Sequence, residues 1–135
     1  MKFSDRLKQL PSVAHLSALQ LVDSSGAVLG YCYATQFRDR AAYARTCEDS
    51  IYVADTARGG GVGSALLAAL VEAARGCGFG QMIAAIGGGE PASIALHTKC
   101  GFVHAGRMRN VGFKFGRRLD TVYMQCDLTL EGQGS

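Results

Sequence analysis

The chain has 135 residues, enough for one domain with one sizeable core. Hydrophobic residues make up 48% and charged residues 19%, which excludes a disordered chain, and no apolar run approaches the length of a membrane span. The net charge is +3, with basic residues scattered or gathered near Arg58 and from Arg107 to Arg118; a nucleic-acid binder, with a basic stripe and aromatic platforms, is not indicated.

The opening Met1-Lys2-Phe3-Ser4-Asp5-Arg6 lacks the apolar core of a signal peptide, so a cytoplasmic protein is expected. Leu16 to Val22 alternates loosely, Asp23-Ser24-Ser25-Gly26 is a turn signal, and Val28 to Thr35 is rich in strand formers: a hairpin. Asp49 to Ala54 reads as the third strand. A glycine loop leads into a helix over Ser64 to Arg75, where Leu66, Leu67, Leu70, Val71 and Ala74 recur at helical spacing. Gly76, Gly78 and Gly80 end it. Gln81 to Ile86 is a buried strand reached by a helical crossover, hence parallel to the third. A short helix from Ala92 to Lys99 closes at Gly101, and Phe102 to Val111 and Thr121 to Leu128 form the last two strands. The pattern is a single α/β (α+β) domain, a mixed and mostly antiparallel sheet flanked by helices.

Cys32, Cys47, Cys77, Cys100 and Cys126 are odd in number and far apart, and His15, His97 and His104 supply no zinc spacing. They read as reduced, mostly buried small hydrophobes, and no metal is expected. His104, with Arg107 and Arg109 nearby, reads as a solvated strand face.

The stretch Arg58-Gly59-Gly60-Gly61-Val62-Gly63-Ser64 carries the most chemistry. Glycines where a strand turns abruptly into a helix let several main-chain N–H groups point at one anion. Arg58 adds a planar cation, and Ser64 is placed to cap the helix. A P-loop requires a Lys after the last glycine, and Val62-Gly63-Ser64 has none. A dinucleotide fold wants an acidic residue after the next strand, where Gly87-Gly88-Gly89 stands instead. A pyrophosphate cradle remains, beside the plain reading of a structural turn.

Arg58-x-x-Gly61-x-Gly63 between strand and helix, then Ile94-Ala95-Leu96-His97-Thr98-Lys99-Cys100-Gly101-Phe102, resembles the GNAT superfamily of acetyl-CoA-dependent N-acetyltransferases. Glu48-Asp49-Ser50-Ile51-Tyr52-Val53, Leu96-His97 with Gly101-Phe102, and Arg107 to Asp120 with its Gly112-Phe113-Lys114-Phe115-Gly116 core are similar to the phosphinothricin and methionine sulfone or sulfoximine branch. The resemblance covers roughly residues 20 to 130.

It implies acetyl-CoA as co-substrate, held by Ile51, Tyr52, Val53, Arg58, Gly59, Gly60, Gly61, Val62, Gly63, Ser64, Glu90 and Ser93, with main-chain N–H groups of Tyr52 and Val53 polarising the thioester. It implies Glu48, just ahead of the third strand, as the base. Asp49 is the neighbouring carboxylate, sent to the opposite face by strand alternation. His97 stands where most of the superfamily has tyrosine, and is a candidate to protonate the leaving thiolate or a plain polar helix residue. Glu90 replaces the branch's asparagine. Arg38, Arg40 and Tyr43 fall in the branch's acceptor loop, where a guanidinium suits a carboxylate or phosphinate. Leu119 matches the methionine sulfone type, and its less polar pocket favours small uncharged analogues.

The family normally begins with a strand and two helices, whereas only Phe3 to Leu10 precedes the hairpin here. The first strand and helices are therefore expected to be lacking, with apolar surface left for a homodimer partner to cover; a shortened gene product is the alternative. The expected function is acetyl transfer to the α-amine of a small amino acid or analogue. The rivals are a CoA-binding or interaction module without a complete acceptor pocket, and an acetyltransferase for larger amines, which the basic segment Gln36 to Arg45 disfavours.

Overall fold

The computed structural model describes residues 7–10 and 17–129, with the backbone alone at 8–10 and 17. Its strands are β1 (Leu7–Leu10), β2 (Ser17–Val22), β3 (Val28–Gln36), β4 (Thr46–Val53), β5 (Gln81–Gly87), β6 (Val103–Lys114) and β7 (Arg117–Asp127), and its helices α1 (Val62–Gly76) and α2 (Pro91–Lys99). One sheet runs in the order β1-β2-β3-β4-β5-β7-β6. Every neighbouring pair is antiparallel except β4 and β5, which are parallel because α1 carries the chain back across the sheet.

The mixed sheet, the hairpin and the crossover stand where the residue pattern places them, with corrections at the ends. A first strand is present after all: β1 pairs along β2 from Leu7 opposite Leu21 to Leu10 opposite Ala18. Residues 11–16, where His15 and the expected start of the hairpin at Leu16 fall, lie outside the described residues. Strand β4 starts three residues ahead of expectation at Thr46, so Glu48 is inside the strand, paired with Thr35 on one side and Ile83 on the other. Polar Thr46 and Glu48 hide that strand from a hydrophobicity reading. The last hairpin also runs further, to Lys114 and back from Arg117. Its β6 arm is irregular between Met108 and Gly112, where Asn110 takes a left-handed φ of 58° and the Asp120 carboxylate accepts its N–H at 3.0 Å.

Strand alternation decides which face is dry. Cys32 and Ala34 of β3, Cys47 and Asp49 of β4, Met82, Ala84 and Ile86 of β5, and Val122, Met124 and Cys126 of β7 are buried, while residues between them are more exposed. Against that face α1 lays Leu66, Leu67, Leu70, Val71 and Ala74, the stripe visible in the sequence. The cysteines thus act as small core residues: burial pushes the thiols of Cys32 and Cys47 up to about 12, with the Asp49 charge adding to it.

Helix and sheet meet most closely at Gly30. A Cβ there would stand 2.7 Å from the Tyr52 carbonyl oxygen and 2.9 Å from Leu66 Cδ1, and the backbone oxygen is held in the β3–β4 ladder. Gly30→Ala is expected to lower unfolding free energy by about 1–3 kcal/mol through overpacking, read as a lower urea midpoint at unchanged slope. An unchanged midpoint would mean that α1 retreats without cost.

Candidate active site

The parallel pairing of β4 with β5 lasts only from Thr46 opposite Gln81 to Glu48 opposite Ile83. Beyond Glu48 the strands part, although β4 stays paired with β3 as far as Val53 and β5 with β7 as far as Gly87. The result is a wedge whose β4 edge carries main-chain groups that β5 does not pair. On the helix side lies a cavity of about 480 Å³ lined by Ile51 and Val53 of β4, the loop and first turn leading into α1, and the inner side of α2.

At one end of the cavity the strand-to-helix turn bares a helix N-terminus. Gly59 and Gly61 take φ of 83° and 85°, a conformation that side chains strain to adopt. Gly61 is the N-cap and no side chain caps the helix; Ser64, expected as the cap, is instead the third helical residue. The first intrahelical bond runs from Ala65 N–H to the Gly61 carbonyl at 3.0 Å. The N–H groups of Val62, Gly63 and Ser64 therefore have no acceptor within the helix, and all three residues line the cavity. Backbone N–H groups in this arrangement are able to receive an anion, which the helix dipole favours. Arg58 and Gly59 also line it, and Arg58 Nε pairs with Asp55 Oδ1 at 3.2 Å. Gly60 does not belong to the lining.

Helix α2 makes the other wall. Glu90 is its N-cap, accepting the Ala92 N–H at 3.4 Å, which gives that carboxylate a local task at the cavity rim. Ser93, Leu96 and Lys99 follow at three-residue spacing along one side of the helix and line the cavity with Ala92. Leu96 and Lys99, with Ala57, were missed by the sequence reading, although the three-residue recurrence after Ser93 was there to be found. Lys99 and Arg58 make the cavity's cationic side chains, and Ile51, Val53 and Leu96 its apolar walls.

Glu48 and Asp49 point to opposite faces of β4, as alternation requires. Glu48 is half-buried at the apex of the wedge. Burial and the neighbouring Asp49 charge raise its carboxyl above the ordinary 4.5, with Arg38 opposing them. Tyr52 shares the Glu48 face, 56% exposed and stacked on Tyr31 at 5.3 Å, and does not belong to the cavity lining, which takes Ile51 and Val53 on either side of it.

Asp49 is buried at 8% exposure and His97 at 4%. Nε2 of His97 lies 2.7 Å from Asp49 Oδ2, and Nδ1 lies 2.7 Å from the Ser93 carbonyl oxygen. The ring packs edge-on against Phe102 and is absent from the cavity lining. Both ring nitrogens are thus committed. Burial pushes the imidazole's pKa down, but the Asp49 hydrogen bond and charge, with the Ser93 carbonyl, outweigh it and the net shift is upward from 6.5.

The acceptor segment forms the loop between β3 and β4, at the Glu48 end of the strand. Arg38 stacks over the Phe37 ring at 3.9 Å and donates to the Phe37 carbonyl at 2.9 Å. Arg40 precedes the short turn Ala41–Tyr43 and is exposed, and Tyr43 meets Phe37 edge-on. Glu48 and Val53, where β4 gives way to the turn leading into the glycine loop, are five strand steps apart, about 17 Å at strand rise. Among the described residues no cluster of three His, Cys, Asp or Glu side chains is placed to hold a metal, and no helix is long and apolar enough to cross a membrane.

The family model for the Acetyltransferase (GNAT) family matches residues 3–102. A phosphinothricin N-acetyltransferase of Alcaligenes faecalis is 50% identical over 109 residues, covering 80% of this chain and 55% of that protein. An L-methionine sulfoximine/L-methionine sulfone acetyltransferase of Pseudomonas paraeruginosa is 47% identical over 106 residues, covering 78% of this chain and 62% of its own length. The chain therefore spans about three fifths of these relatives. A GNAT superfamily phosphinothricin acetyltransferase from Sinorhizobium meliloti, solved in complex with AcCoA, superposes with a TM-score of 0.81 at 51% identity, over 83% of this chain and 60% of that one. With the wedge, the bare helix N-terminus and the family model in agreement, the chain belongs to the GNAT acetyltransferase family.

Proposed function

We propose that this domain is an acetyl-CoA-dependent N-acetyltransferase for the α-amine of a small amino acid or analogue, of the methionine sulfone, methionine sulfoximine or phosphinothricin type. The observation that carries the reading is the wedge: a backbone anion site at one end of β4 and a raised-pKa carboxylate at its apex. The cavity suits the donor, with free N–H groups, Arg58 and Lys99 for phosphates and Ile51, Val53 and Leu96 for an apolar arm. When bound, acetyl-CoA supplies the activated acyl group as a thioester.

The residues divide the remaining work. Glu48 takes a proton from the acceptor's ammonium group and leaves the amine free to attack. The unpaired β4 edge offers the N–H groups of Ile51 and Val53 to a developing oxyanion, the N–H of Tyr52 being turned to Tyr31 in the β3 ladder. Arg38, Arg40 and Tyr43 receive the acceptor's carboxylate, a role the loop's position at the Glu48 end supports. His97 is not assigned the thiolate's proton, since both its nitrogens face other partners. Relatives named for phosphinothricin and for methionine sulfoximine or sulfone support the acceptor class, and Leu119 favours the uncharged analogues.

Thiol release from acetyl-CoA against a panel of these acceptors tests the reading. Glu48→Gln is expected to lower kcat by about 10²–10⁴ while acetyl-CoA affinity stays, and the acid limb of the wild-type profile is expected above an ordinary glutamate's 4.5. The sign follows from the chemistry: below that limb Glu48 is protonated and idle. Tight acetyl-CoA binding without turnover on any acceptor would favour a CoA-binding module instead. Arg40→Ala is expected to raise acceptor KM by about tenfold or more, the worth of a charged hydrogen bond, with KM for acetyl-CoA unmoved. An unchanged acceptor KM would remove Arg40 from the site.

The same reading includes a homodimer in the cytoplasm. The free thiols of Cys32, Cys47, Cys100 and Cys126 suit a reducing compartment. Tyr31, Tyr33 and Tyr52 lie exposed on the sheet face turned from α1, and Phe113 and Phe115 at the end of the last hairpin are 74% and 89% exposed; such surface asks for cover. Light scattering at micromolar concentration is expected to give twice the 14.2 kDa chain mass, and a stable monomer would overturn this part.

A further inference from the structure

Asp49 touches no reacting group in the chemistry just described and bears on it only through its charge beside Glu48, yet it is a buried carboxylate on the cavity side of β4, two residues before Ile51. Its partner explains the placement. The Ser93 carbonyl can only accept, so the His97 Nδ1 facing it at 2.7 Å carries a proton. An ionised Asp49 can also only accept, so Nε2 carries the second, and the ring is an imidazolium held from both sides. His97 is itself a residue of α2, so the Asp49 bond ties that helix to β4, the other wall of the cavity, while the Ser93 bond runs back along α2 to its first turn and sets the direction of the ring. Ser93 and Leu96 line that cavity, and Leu96 Cδ2 stands 3.3 Å from where a Cβ on Gly63 would be. A shift of α2 would therefore change both the width of the cleft and its contact with the anion site.

We infer that Asp49 is a positioning residue for the cofactor cleft: through the ring of His97 it fixes the first turn of α2, and with it Ser93 and Leu96, against β4. The inference rests on the reading of this cleft as the acetyl-CoA site. It gives Asp49 a role that depends on charge as well as shape. When the imidazolium loses a proton, the ring can no longer donate to both the carboxylate and the carbonyl, so either the tie to β4 or the intrahelical bond that directs the ring toward it is lost. The other titratable groups around the pair are Glu48 on the opposite face of β4 and the thiols of Cys32 on β3, Cys47 on β4, Cys100 after α2 and Cys126 on β7. Burial raises all four thiols above 9.0, so they stay protonated through neutral pH, with Lys99 of α2 and Arg75 of α1 the cations acting on Cys100 and Cys126.

Acetyl-CoA titrated calorimetrically into the full chain without acceptor reads the cleft directly. Asp49→Ala and His97→Gln are each expected to weaken binding by about tenfold, the cost of stranding a buried partner, while kcat at saturating acetyl-CoA stays close to wild type. The double variant is expected to bind no worse than either single one, because one linkage is broken either way. The near-isosteric Asp49→Asn keeps the packing where the alanine variant unfolds. It supplies the charge test: wild-type affinity is expected to fall as pH rises through the raised pKa of His97, and the fall should vanish or move to lower pH in Asp49→Asn. The ligand's phosphates and the cleft's other charged side chains are common to both proteins and cancel in the comparison. Wild-type binding matched by folded variants at every pH would overturn the inference alone. A wild type that fails to bind acetyl-CoA would overturn the functional reading, and this inference with it.

Discussion

The parting of β4 from β5 after Glu48 organises everything else in the molecule. Each strand has a competing neighbour: β4 follows β3 for seven paired residues, from Cys47 to Val53, and β5 follows β7 from Gln81 to Gly87. Both of those ladders are antiparallel, while the contact between β4 and β5 is parallel and the weaker per residue. Twist carries each strand along with its stronger partner, and the parallel ladder gives way after three pairs. The gap puts unpaired backbone on the edge of β4, opens the cavity above it and leaves Glu48 at the last point where the two strands touch.

Around that gap the charged groups are distributed by function of position rather than by number. The phosphate end uses backbone: left-handed glycines and a helix start with no side-chain cap. The apex uses a carboxylate in half-dry surroundings, where water no longer favours the ionised form as strongly and a proton can be exchanged nearer neutrality. The basic residues of the β3–β4 loop stand outside the gap, at the end where an acceptor's anionic group would be left once its amine reached Glu48.

The buried Asp49–His97 pair fits poorly as a stabilising device. Desolvating two charges offsets most of their attraction, and apolar residues of similar volume often serve stability as well or better. What an apolar pair cannot do is hold two directions at once. Here the ring, carried by α2, is aimed by the Ser93 carbonyl of its own helix and bonded to Asp49 on the sheet, so the pair fixes a separation that packing alone would leave adjustable.

The sequence by itself determined the order of elements from the first hairpin onward, the stripe of α1, the glycine turn and the opposite faces taken by Glu48 and Asp49, because each of these depends on local periodicity or on side-chain alternation within a single element. It was less able to set where β4 begins: Thr46 and Glu48 are strand residues only by virtue of their partners, Gln81 for Thr46 and Thr35 and Ile83 for Glu48. The tertiary structure alone decided the rest. Ser64 lost the cap to Gly61, since the path of the turn fixes which residue closes the first helical bond. His97 was drawn inside and Lys99 out to the cavity by the way α2 rolls onto the sheet. The wedge itself is the outcome of a competition among four strands distant in sequence, and no local pattern records which pairing wins.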